Sequence, residues 1–159
     1  MKKSIFLISF LLIAGYASAQ ISKGTILAGA SSNLGFTSVS PDTGDNYSLF
    51  DLNLKGGYFV IDNVVAGANI GYHKLDTYSY STFGIFGRYY YQGKFFGGVG
   101  FNINSYENSD SQTSIPFEVG YAAFINNNIA VEPSLNFSIG EDNNTFGLNV
   151  GFALYFNRK

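Results

Sequence analysis

Cysteine and tryptophan are both missing from this chain, proline occurs three times and histidine once. Without cysteine there can be no disulfide framework, no thiolate metal site and no cysteine nucleophile. Charge is scarce as well: 13% of the 159 residues are charged, and the formal net charge is -2. A nucleic-acid binder needs a basic surface to neutralise phosphates, so that class is excluded. Beyond the first residues no apolar run approaches the ~18 residues of a membrane-spanning helix. Yet 46% of the chain is hydrophobic and 18% aromatic, with 12 tyrosines, 16 phenylalanines and 19 glycines. Such a composition can bury a core and does not fit a disordered chain. Its hydrophobicity is dispersed rather than blocked.

Lys2 and Lys3 stand before an apolar stretch from Ile5 to Ala14, and Ala17-Ser18-Ala19 follows with the small-x-small pattern that signal peptidase cuts. This predicts an export signal over residues 1–19, cleavage after Ala19, and one mature domain over 20–159. A transmembrane anchor fits poorly, because the apolar region is only about ten residues long and no stop-transfer charge follows. No cysteine follows the cut to carry a lipid, which excludes a lipoprotein.

The mature chain alternates with a period of two, which sets residues i, i+2 and i+4 on one face of a strand. Phe50, Leu52, Leu54, Gly56 and Tyr58 interleave with Asp51, Asn53, Lys55, Gly57 and Phe59. The same division recurs in Val64, Ala66, Ala68, Ile70 and Tyr72, and in Phe146, Leu148, Val150, Phe152, Leu154 and Phe156. Reading outward from these gives strands at about 24–36, 48–60, 64–75, 79–91, 94–105, 113–124, 129–139 and 146–156. No helical period competes with them. Asp62-Asn63, Gln92-Gly93 and Asn126-Asn127-Asn128 carry tight-turn residues. The alternate connections are mostly longer and polar, the pattern of a barrel with periplasmic turns and extracellular loops.

Which face is apolar decides between a soluble barrel and a membrane one. In a soluble barrel the continuous apolar face points inward. Here the apolar face reads as uncharged, while its opposite holds glycine, asparagine, serine and the mid-strand charges. An eight-stranded lumen is too narrow for that many Phe, Ile and Leu side chains, so the apolar face must meet lipid. The fold class is therefore all-β, an eight-stranded antiparallel up-and-down transmembrane barrel. Aromatics collect at strand ends as interfacial girdles. Tyr58, Phe59, Tyr89, Tyr90, Tyr91, Phe95, Phe96, Tyr155 and Phe156 stand toward the turns, and Phe36, Tyr47, Phe50, Tyr72 and Tyr78 toward the loops.

The whole mature chain resembles the small outer-membrane β-barrel proteins of the OmpX and OmpA-barrel type. The resemblance is carried by Gly57-Tyr58-Phe59-Val60-Ile61-Asp62-Asn63-Val64-Val65-Ala66-Gly67, by Gly87-Arg88-Tyr89-Tyr90-Tyr91, and by Gly120-Tyr121-Ala122-Ala123-Phe124. The octet from Asn149 to Phe156 is similar to the C-terminal signal read by the barrel-assembly machinery, with Asn149, Gly151, Leu154 and Phe156 in its fixed positions. Many such proteins end on the aromatic, whereas here Asn157-Arg158-Lys159 follow. The resemblance implies the outer membrane of a Gram-negative cell, with outer-membrane lipids and the assembly machinery as partners, and an unidentified partner outside the cell.

Candidate chemistry is thin. His73 is the sole histidine and reads as lumenal, where it cannot meet bilayer lipid and has no serine and carboxylate in a triad pattern. Gly97-Gly98-Val99-Gly100 is followed by no helix that could cradle a phosphate. Asp42, Asp45, Asp76, Glu107, Asp110, Glu141 and Asp142 match no calcium-loop spacing. No cofactor, metal or catalytic residue is therefore expected. Lys55, Arg88, Glu118 and Glu132 all fall on the inward register, Arg88 and Glu132 lower and Lys55 and Glu118 near mid-barrel. Unpaired charges in a narrow lumen are costly, which predicts a bonded network of all four. With Phe59, Phe86, Tyr90, Phe96, Phe124 and Tyr155 also inward, the lumen should be filled. The reading is a non-enzymatic outer-membrane protein serving envelope integrity or surface interaction through its loops. A small pore or carrier is the alternative, and an envelope-lipid enzyme a third.

Overall fold

The computed structural model describes residues 21–33, 49–75, 78–106, 110–141 and 144–157, with the side chains of 32, 33, 49–51, 75 and 78 left aside. The export signal with its Ala19 cleavage point, Asp42, Asp45, Asp76, Glu107, Asp142, Phe36 and Tyr47 lie outside the described residues, as do the side chains of Phe50 and Tyr78. Strands run in chain order as β1 (Ile26–Asn33), β2 (Leu49–Ile61), β3 (Val64–Leu75), β4 (Tyr78–Tyr91) and β5 (Phe95–Tyr106). They continue as β6 (Gln112–Tyr121), β7 (Ala123–Phe124), β8 (Ile129–Gly140) and β9 (Asn144–Phe156). β6 and β7 are two pieces of one stave, since both pair with β8. Every pairing is antiparallel between chain neighbours, and β1 closes on β9 from Ile26 opposite Phe156 to Asn33 opposite Asn149. The result is a closed barrel of eight staves. Closure satisfies the backbone without a free edge, the condition a sheet must meet inside a bilayer.

Turn chemistry sets one end. Gln92 and Gly93 both adopt positive φ, 52° and 64°, the signature of a tight hairpin turn whose twist matches its strands. Asn63 also has positive φ, 63°, which asparagine tolerates. At the third turn the Asn126 side chain accepts the N–H groups of Asn128 and Ile129, at 2.8 and 2.9 Å. At the break between β6 and β7 the register sets Tyr121 opposite Pro133 and Ala122 opposite Glu132, and Pro133 has no N–H to offer the ladder there.

The two faces divide as the period of two requires. Ile70, Phe83, Ile85, Val119, Leu135 and Phe152 are exposed on the outside, although they are among the most apolar side chains in the chain. Arg88, Glu118, Glu132, Asn69 and Thr82 are buried inside. That polarity is the reverse of a soluble protein's and makes the outside a lipid-facing surface. Three details depart from the sequence reading. Lys74 is exposed on the outward register of β3, so the apolar face is not free of charge; it sits at the loop end, where a lysine can snorkel to the interface. Of the turn-side aromatics, Tyr58, Tyr89, Tyr91, Phe95 and Phe156 do face out, whereas Phe59, Tyr90, Phe96 and Tyr155 are buried in the lumen. Finally, β1 starts at Ile26, and of the described residues before it Ile21 and Thr25 are buried inside.

Those residues form a floor. Ile21 is fully buried against Phe59, Val65, Tyr90 and Tyr155 at the turn end. Its N–H donates to Asn63 Oδ1 at 3.1 Å, and its carbonyl accepts the Asn63 N–H at 2.8 Å. The Lys23 N–H donates to Asp62 Oδ1 at 2.8 Å, and the Gly24 N–H to the Phe59 carbonyl at 3.0 Å. The segment before β1 is thus a strap tied to the first tight turn.

Candidate functional site

Inside a low-dielectric tube a charge must find an opposite charge or a dipole, and four staves each send one ionised side chain to the same level. Lys55 comes from β2, Arg88 from β4, Glu118 from β6 and Glu132 from β8. The structure brings all four together. Lys55 Nζ donates to Glu118 Oε2 at 2.8 Å. Arg88 Nε donates to Glu118 Oε1 at 2.8 Å, and its Nη1 to Glu132 Oε2 at 2.8 Å. Two cations meet two carboxylates, so the cluster is neutral as a whole. Arg88 is its centre because the guanidinium fork reaches two acceptors at once, which a lysine cannot do with fixed geometry.

Two tyrosines complete the cluster. Arg88 Nη1 also donates to the Tyr90 hydroxyl at 2.7 Å. The Tyr155 hydroxyl donates to Glu132 Oε1 and lies 3.1 Å from the Tyr90 hydroxyl. A phenol has one proton to give. With Tyr155 committed to the carboxylate, Tyr90 accepts from Arg88 and is left to donate toward Tyr155 or Glu132. Aromatic faces finish the cage: the Arg88 guanidinium carbon stands 4.1 Å from the Phe96 ring centre, and Lys55 Nζ 5.6 Å from that of Phe86.

The sequence reading counted Tyr90 and Tyr155 among the turn-side aromatics and as lumen filling, with no role for their hydroxyls. The available signal was a tyrosine at an inward floor position that Phe would fill equally well, because a buried phenol needs a partner for its hydroxyl. Arg88 bridging both carboxylates is also absent from that reading, which set Arg88 with Glu132 low in the barrel and Lys55 with Glu118 above. Beside the cluster lies a cavity of about 20 Å³, between β1, β9 and the charged side chains. That is space for about one water.

The remaining candidates fall elsewhere. His73 faces the lumen near the loop end, stacked on Tyr80 with ring centres 4.3 Å apart and an angle of 10°. Among the described residues no three His, Asp or Glu side chains gather as metal ligands. In β9, Gly151 is buried on the inward register while Leu154 and Phe156 are exposed outside. Asn149 lines the cavity.

No protein-family model matches the chain, and no curated protein matches it in sequence. Solved structures do. The N-terminal β-barrel domain of Pseudomonas aeruginosa OprF superposes with a TM-score of 0.65 at 14% identity, over 84% of this chain and 98% of that one. The Yersinia pestis outer-membrane protein Ail, in a phospholipid nanodisc, gives 0.53 at 14% identity over 85% and 99%. A de novo designed transmembrane β-barrel gives 0.54 at 11% identity over 86% and 98%. The designed barrel shows how far likeness of this kind speaks for architecture and not for activity. Taken with an apolar outside and a charged inside, these likenesses establish the chain's architecture: it has the fold of the small eight-stranded outer-membrane β-barrels, and its surface is built to sit in that membrane.

Proposed function

We propose that this protein is a non-enzymatic scaffold in a Gram-negative outer membrane, contributing to envelope integrity or surface interaction through its loops. The observation that carries this reading is the sealed lumen. A neutral ion cluster in which every charge is paired stands in the lumen, and Ile21, Phe59, Tyr90 and Tyr155 pack at the turn end with no exposed surface. Ions would have to break that cluster to pass. His73, turned inward onto Tyr80, stands away from bilayer lipid, which speaks against lipid chemistry. On the same reading the octet with Asn149, Gly151, Leu154 and Phe156 serves the barrel-assembly machinery, and the export signal ends at Ala19.

The decisive experiment is a single-channel recording on the refolded barrel in a planar bilayer. No stable, reproducible conductance steps are expected. Such steps would replace this reading with that of a small pore. In cells, loss of the protein should raise sensitivity to detergent and to large dyes, and barrels carrying shortened loops should fail to restore surface contacts.

A further inference from the structure

The small-x-small pattern of Ala17-Ser18-Ala19 and the floor of the barrel lie almost side by side in the chain. Ile21 has no exposed surface and shares one apolar cluster with Phe59, Val65, Tyr90 and Tyr155. Its N–H donates to Asn63 Oδ1 at 3.1 Å, and its carbonyl accepts the Asn63 N–H at 2.8 Å. Cleavage after Ala19 would leave a single residue, Gln20, ahead of this plug. Gln20 itself lies outside the described residues, but its peptide bond to Ile21 carries the N–H that Asn63 holds.

An open amine at that place works against the floor in two ways. An α-ammonium must stay hydrated, while the residue bonded to it is fixed in an apolar cluster. It also offers the chain to aminopeptidases. Two rounds of trimming would remove Gln20 and then Ile21, and with Ile21 both bonds to Asn63. Glutamine answers both through its own chemistry. Near neutral pH part of an α-amine population is unprotonated. Its nitrogen lone pair attacks the side-chain carbonyl carbon Cδ, which the short side chain keeps within reach. The Cδ–Nε2 bond breaks, and ammonia leaves with the proton that the amine gives up. The product is an uncharged pyrrolidone lactam with one N–H and one carbonyl, and the step consumes no other reactant.

We infer that Gln20 is a modification site: once freed by cleavage after Ala19 it cyclises to a pyroglutamyl cap, which shields the plug residue Ile21 from trimming. The inference rests on the proposed cleavage point.

The test takes the protein from the outer membrane of the cells that make it. Free amines are dimethylated at lysis in denaturant, so an open Gln20 is trapped and cannot close at the bench. Tandem mass spectrometry of the N-terminal peptide should then show Gln20 lighter by one ammonia and unlabelled, with the label on the Lys23 side chain. In a second arm the folded barrel is incubated with an aminopeptidase. Gln20→Ala, which cannot cyclise, should lose residues 20 and 21, whereas the parent keeps both. A dimethylated Gln20 would overturn the cap, and equal trimming of parent and variant would overturn the shield. A first residue other than Gln20 would instead overturn the cleavage point on which both rest, so the two failures are told apart.

Discussion

Removing the Glu132 carboxylate would take the charged acceptor from Arg88 Nη1, leaving it only the Tyr90 hydroxyl at 2.7 Å, and would take from the Tyr155 hydroxyl the carboxylate to which it donates. Arg88 would then be a buried cation balanced by Glu118 alone, which Lys55 already shares. Glu132→Ala should therefore lower stability by about 3 to 5 kcal/mol, seen as a fall in the urea midpoint of the refolded barrel. An unchanged midpoint would show that water already serves Arg88 from that end. A second test at this scale concerns glycine. A Cβ on Gly67 would run into the Gly56 carbonyl oxygen and stand 2.8 Å from the tip of Phe86, whereas one on Gly56 meets nothing within 4 Å. Gly67→Ala should cost about 1 to 3 kcal/mol or more, because backbone must move, and Gly56→Ala should change stability by no more than about 0.5 kcal/mol. Equal effects would mean that the ladder between β2 and β3 yields easily.

At the scale of elements, the strap before β1 is held at its outer end by Asn63 and further along by Asp62 and Phe59. Asn63 gives its side-chain oxygen and its N–H to Ile21, and its carbonyl to the Tyr90 N–H at 2.8 Å. Asn63→Gly keeps the left-handed turn conformation and removes only the side-chain acceptor, so it isolates one hydrogen bond. The expected loss is about 0.5 to 1.5 kcal/mol. Trypsin cleavage after exposed Lys23 requires the strap to lift, so it should accelerate by about 2- to 12-fold at that cost, while the rest of the barrel stays resistant. Cleavage at the parent rate would mean that the burial of Ile21 and the bonds of the strap to Asp62, Phe59 and the Asn63 backbone hold it without the Asn63 side chain. The broken stave β6–β7 is a different kind of element: its interruption follows from Pro133 on the neighbouring strand, not from its own residues.

For the molecule as a whole, the lipid-facing surface makes the sharpest demand. Leu52 is 40% exposed on the outside. Leu52→Arg places a charge against hydrocarbon and should cost about 2 to 4 kcal/mol if it sits near the bilayer midplane, less toward the interface. Leu52→Phe should be close to neutral. The readout is the fraction of protein that migrates as the compact, unheated form on a gel, since a closed barrel without edges resists detergent at room temperature. A full compact fraction for Leu52→Arg would remove this face from the bilayer.

The eight staves were legible in the sequence because strand alternation is local: Phe146 to Phe156 declares its two faces with no help from the rest of the chain. So was the inward set of Lys55, Arg88, Glu118 and Glu132, since the period of two assigns each charge to a face once the apolar face is known to meet lipid. Partnership was not. Arg88 reaches both Glu118 and Glu132 because strand tilt and stagger bring β6 and β8 to its level, and stagger is a property of the closed sheet. The hydroxyl roles of Tyr90 and Tyr155 depend on that same convergence. Ile21 lies outside any strand, so alternation is silent about it; only the closed floor supplies the Asn63 groups that hold it. Sequence by itself determined the strand pattern, the face that meets lipid and the chemistry inside. The tertiary structure decided which of those groups bond and where the lumen is sealed, because these contacts join residues that meet only when the barrel closes.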